Sequence, residues 1–153
     1  MDNNVDNRFL EERWTKALKN DDLEDYELMV HVGYVTLTSV EMIHCIHYNA
    51  INIAKWLIKS KRINVNYANP NNPTEYNLLE IALSHGNLTF AEMLRQEGAK
   101  PSGRHKHLKM LNITHDMVDT NSPQFSPMAM ASITYVLAMG YIPEYNIPEL
   151  YEG

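Results

Sequence analysis

One cysteine in 153 residues, Cys45, excludes an internal disulfide and any CxxC pair for zinc or dithiol redox chemistry. A reducing, cytoplasmic compartment is the expectation that follows. Phe and Trp number only three and two, and the six Gly and seven Pro are too few for collagen-like or low-complexity sequence. Unbroken apolar runs are a few residues long, and the opening MDNNVDNRFLEERW is acidic and polar, so neither a signal peptide nor a membrane span is expected. Bases are scarce as well: 13 Lys and Arg stand against 19 Asp and Glu, a net charge of -6. Nucleic-acid affinity draws on counterion release by clustered bases, so no nucleic-acid partner is expected. The one basic stretch, Arg104, His105, Lys106, His107 and Lys109, is too short to reverse that.

What the chain has is 44% apolar and 21% charged residues, enough for one soluble domain with a core. It also has an internal register. Counting from Gly86, Leu88, Ala91, Met93 and Leu94 stand at +2, +5, +7 and +8, and Gly98 closes at +12. The same four offsets hold Ile51, Ala54, Trp56 and Leu57 from Asn49, and Leu23, Tyr26, Leu28 and Met29 from Asp21, closing on Gly33. From Met128 they hold Met130, Ile133, Tyr135 and Val136, closing on Gly140. Offsets +2, +5 and +8 form one stripe of a helix, and the glycine beyond it supplies a left-handed C-cap.

Upstream, offsets -7, -4 and -3 hold Trp14, Ala17, Leu18, then Met42, Cys45, Ile46, then Leu79, Ala82, Leu83. A small residue between two large ones lets a second helix approach closely, so each window reads as a tight antiparallel helix pair. In the fourth window -7 is Asn121 and TNSPQFSP carries two prolines, so its first helix is expected upstream, in HKHLKMLNI. The expected fold is all-α: a short solenoid of about four helix pairs, about 9–33, 39–61, 76–98 and 105–140. These form a single domain over 1–143, followed by an extended C-terminal tail over 144–153.

The pattern resembles the ankyrin repeat. In NLLEIALSHGNLTFAEMLRQEGAK, Gly86 stands where the family has its inter-helix glycine and Gly98-Ala99 where it has its closing glycine-alanine; Ile63-Asn64-Val65-Asn66 is similar to the family's aspartate-valine-asparagine ending. The departures are an opening tetrapeptide replaced by Asn77-Leu78-Leu79-Glu80 in the best case, and markers spaced 28, 37 and 42 residues apart rather than about 33. As sequence the resemblance covers about residues 40–102. It implies a scaffold whose concave face and loop edge recognise another protein.

The connector 67–76, YANPNNPTEY, has two prolines and three asparagines, which suit turns. In an ankyrin stack this connector lies at the edge that carries ligand-binding fingers. It is either a contact surface, with Tyr67, Asn69, Asn71, Asn72, Glu75 and Tyr76 as the partner-binding residues, or a tolerated loop.

Little else points to chemistry. His44 and His47 are spaced to share a metal, but Cys45 between them fills the small-residue slot of Ala17 and Ala82, which argues for packing. His105 and His107 lack a nearby acid and read as solvent-facing; His85, before Gly86, reads as a helix-end cap. The cluster Asp21, Asp22, Glu24, Asp25 and Glu27 reads as helix capping, with an acidic mimic of nucleic acid as the other reading. No GxSxG, HExxH, GxGxxG or P-loop occurs. No catalytic residues, metal or cofactor are therefore expected.

With almost the whole chain spent on repeats, the expected function is a non-catalytic binding module that occupies or inhibits a partner protein. It would act as an immunity or antitoxin factor or as a viral or phage anti-defence protein; a structural subunit or adaptor is the alternative. Met128, Met130, Met139, Phe125 and Tyr141 form an apolar group near the end, either core or a docking face. A monomer, or a weak homodimer through this C-terminal pair, is expected.

Overall fold

The computed structural model describes residues 3–146, with side chains from Arg8 onward. The chain divides into two compact units, Met1–Val65 and Asn66–Gly153.

In the first unit, α1 (Asn3–Lys19) and α2 (Leu23–His31) form one hairpin, α3 (Ser39–Tyr48) and α4 (Ile51–Lys61) a second. Helix α1 also lies on α3, and α2 on α4, which gives two layers. Each hairpin reverses within a few residues because Asp21 and Asn49 adopt left-handed backbone, φ 51° and 59°, a conformation these short polar side chains tolerate. Those two residues are the origins of the sequence register. Accordingly, Ala17, Leu18, Tyr26, Met29, Met42, Cys45, Ile46, Ala54 and Leu57, at the -7, -4, -3, +5 and +8 positions, are all at most 2% exposed. Leu28, at +7, is 39% exposed, since it stands one residue, about 100°, around the helix from Met29 on the buried stripe.

The acidic cluster caps helices. The Asp22 carboxylate accepts the Asp25 amide at the start of α2. Asp21 reaches the next hairpin instead: its two oxygens accept the Asn52 and Ile53 amides, both at 3.0 Å, at the start of α4, whose own N-cap Ala50 has no side chain to offer. Asp25 pairs with Arg13 at 2.9 Å.

The second unit opens with a hairpin of α5 (Leu78–Ser84) and α6 (Leu88–Gln96), turned by Gly86 at φ 73°. Asn77 and Glu80 close a capping box at the start of α5. His85 caps its end, with Nδ1–H donating to the Ile81 carbonyl at 2.8 Å. Beyond α6 the expected helix in HKHLKMLNI is absent. Residues His107–Lys109 form a strand, β1, which pairs in parallel with β2 (Ile142–Glu144). The crossover carries a 3₁₀ turn, His115–Val118, and α7 (Pro127–Ala138). So the fold is mostly helical, and the fourth pair of the sequence reading has only its second helix. Its origin, Met128, lies inside α7 rather than at a left-handed turn, and the buried +5 and +8 residues Ile133 and Val136 pack from that one helix.

The alternation His107, Leu108, Lys109, Met110, Leu111 explains the correction. Leu108 and Met110 are buried while the three others are exposed, a period of two that suits a strand. Of the expected tail, Glu144 belongs to β2 and Asn146 donates to the Ile113 and Leu111 carbonyls; residues 147–153 lie outside the described residues. Among the described residues no helix is long and apolar enough to cross a membrane.

Candidate partner-binding loop

Between Tyr67 and Tyr76 the backbone is shaped by its own asparagines. The Asn69 side chain accepts the Asn71 amide at 2.9 Å, and the Asn72 side chain accepts both the Thr74 amide and hydroxyl, at 3.2 and 2.6 Å. These are Asx turns, in which a side-chain oxygen substitutes for a backbone acceptor. Asn72 also donates to the Glu75 carboxylate at 3.1 Å. Pro70 and Pro73 fix φ at the centre of each turn.

The loop is then held by the basic stretch that follows α6. Arg104 donates through one guanidinium nitrogen to the Asn69 and Asn72 carbonyls, at 3.2 and 3.4 Å. His105 donates through Nε2 to the Glu75 carbonyl at 3.0 Å, and its ring meets the Tyr76 ring edge-on at 4.8 Å. The Tyr76 hydroxyl accepts the Lys109 amide of β1 at 3.0 Å. The reading of His105 and His107 as solvent-facing without an acid is corrected in one part for each: His107 is exposed as expected but has an acid beside it, and His105 is not solvent-facing. His105 is half-buried against the loop, and His107 Nδ1 lies 3.3 Å from the Glu144 carboxylate on the neighbouring strand. Sequence distance hid both contacts, since each partner comes from another segment of the unit.

The six loop residues therefore fall into two groups. Asn69, Asn72 and Tyr76 are half-buried and engaged in the loop's own structure. Tyr67, 41% exposed, and Asn71 and Glu75 are open to solvent, Glu75 while its carboxylate also accepts from Asn72.

The other candidates resolve as packing. His44 meets Trp14 edge-on at 5.0 Å and His47 meets Tyr48 at 4.8 Å. The Cys45 thiol is fully buried, and burial pushes its pKa well up. Among the described residues no three His, Cys, Asp or Glu side chains gather as a metal site would need. The apolar group near the end is divided: Tyr141 is buried, Phe125, Met130 and Met139 are half-buried, and Met128 is 81% exposed.

Sequence reasoning missed two buried carboxylates, Glu41 and Glu80, each the third residue of its helix. Glu41 accepts the Tyr26 hydroxyl at 2.6 Å and the Trp14 indole N–H at 3.2 Å. Glu80 accepts the Asn77 amide at 2.8 Å, the Ser102 hydroxyl at 2.7 Å and the Tyr141 hydroxyl at 2.6 Å. Burial beside a carboxylate raises the pKa of both tyrosines far above its ordinary value. The Thr38-Ser39-Val40-Glu41 spacing, a capping-box pattern, was the signal available for the first.

No family model, curated protein or solved structure matches the chain.

Proposed function

We propose that the protein is a non-catalytic binding module, built of degenerate ankyrin-like repeats, that acts by occupying a partner protein. An immunity or antitoxin factor acts so on its toxin, and a viral or phage inhibitor on a host defence protein. The observation that carries this reading is the 67–76 loop. Two asparagine-mediated turns, Arg104 and His105 hold it in one conformation, so a partner meets Tyr67, Asn71 and Glu75 without the entropy cost of ordering a connector. An exposed tyrosine on a fixed backbone is a common anchor of binding energy.

Affinity capture from the native source, run in parallel with the Tyr67→Ala/Asn71→Ala chain, tests this. The expected result is a stoichiometric complex with one protein, weakened about tenfold or more by the double substitution, with the melting temperature unchanged. Tyr76 is left intact because its hydroxyl and ring support the unit itself. Equal retention of the partner by both chains would remove the loop from the interface.

The second reading, an adaptor or structural subunit, is favoured by the exposure of Met128, Leu137 and Ile142 on the second unit. Such a subunit self-associates or co-purifies in a large particle instead of forming a one-to-one complex.

A further inference from the structure

In the second unit, a groove of about 280 Å³ lies against the α5–α6 turn and the first turns of α7. Its lining includes no Asp, Glu, Lys or Arg. Its lining is mostly apolar, with a few polar groups set into it. Ser132, 4% exposed, lines it with a hydroxyl that takes no hydrogen-bond partner among the described residues. That oxygen lies beside the turn: a Cβ added at Gly86 would meet it at 3.9 Å, an ordinary van der Waals contact. Every side-chain nitrogen or oxygen sealed from solvent among the described residues has a partner, so this hydroxyl stays open to the groove, where a ligand can bond it.

His85 is the second polar group. Its Nδ1 faces a carbonyl, which only accepts, so Nδ1 carries the hydrogen and Nε2 of the neutral ring is an acceptor. Two carboxamides, the exposed Asn112 and Gln124, stand at the rim. The Met117 and Met128 thioethers complete the lining; sulfur of this kind packs well on aromatic rings.

We infer that this groove binds a neutral purine ring, of the kind carried by adenosine. Carboxamides match the paired donor and acceptor on the adenine edge. His85 Nε2 offers an acceptor to an exocyclic amine, Ser132 a hydroxyl to a ring nitrogen, and the methionines a polarisable surface to the ring face. A phosphate or carboxylate finds no cation here, so the base and not an anionic group is the recognised part. The site is independent of the 67–76 loop, and its failure leaves the protein-binding reading untouched.

Titration of the full chain with adenosine, followed by calorimetry and by amide chemical shifts, tests the inference. Saturable one-to-one binding is expected, with shifts centred on residues 85–86, 112–117 and 124–132. Adenosine monophosphate should bind no more tightly than adenosine. Gln124→Ala, at an exposed position, should weaken binding about tenfold, and Ser132→Leu, which fills the groove, should abolish it, with circular dichroism confirming the fold. The absence of saturable binding to the wild-type chain overturns the inference. So does adenosine binding that the Gln124→Ala chain retains in full.

Discussion

Glu80 has no exposure to solvent, yet its carboxylate receives hydrogen bonds from a backbone amide, a serine and a tyrosine drawn from three segments. Removing one donor is therefore informative. Tyr141→Phe deletes one charge-assisted bond and should cost about 1.5–3 kcal/mol, read as a lower midpoint in urea. It should also flatten the alkaline limb of stability. The folded phenol holds its proton far above the unfolded pKa near 10.0, so the unfolded chain loses its proton first; this stabilising contribution is full below pH 10 and is lost as pH rises above it. Tyr26, held by Glu41, acts in the same direction, so the wild-type chain should weaken above pH 10 more steeply than Tyr141→Phe. Cys45 gives a second readout: a thiol this deeply buried should react with an alkylating reagent at pH 8 only as fast as the chain opens. At this scale the apolar positions were legible because burial repeats with a period, whereas Glu41 and Glu80 were not. A buried acid becomes tolerable only through partners that lie far away in sequence.

Among the elements, the hairpins could be read because their left-handed turns fall on Asp, Asn and Gly, at the origins of the periodic windows. The strand could not be read so easily, since three residues of alternation sit inside a stretch that also supports a helical reading. Leu108, fully buried at the centre of β1, should lose about 2–5 kcal/mol on substitution by Ala, measured as a fall in thermal midpoint. Ala82 lies fully buried in α5 where the register demands a small residue, and Ala82→Trp should destabilise that hairpin through overpacking, by about 1–3 kcal/mol or more. Unchanged helicity and melting would contradict the register. The loop, too, was only half legible: its turn chemistry is local, but Arg104 and His105 reach it from about thirty residues away. For Arg104→Ala, hydrogen exchange should accelerate at the amides of Asn71, Asn72 and Glu75, while the α5 and α6 amides stay protected.

For the whole molecule, the sequence carried class and charge better than it carried connectivity. A mostly helical chain with net charge -6 is as composition and patterning imply; the parallel strand pair that joins two distant segments has no short-range signature. The exposed apolar side chains of α7 and β2 bear on assembly. If Met128 and Leu137 form a homodimer face, the sedimentation coefficient should rise with protein concentration and stop rising in Met128→Ser/Leu137→Ser; a constant value in the wild-type chain establishes a monomer. The order of the two strands also matters for how the polypeptide matures on the ribosome. Segment 107–109 emerges with one edge bare and must wait for 142–144, about thirty residues later, before its ladder can close. A translational stall within that interval would leave a nascent chain displaying a sticky backbone edge, a natural target for chaperones and quality-control proteases.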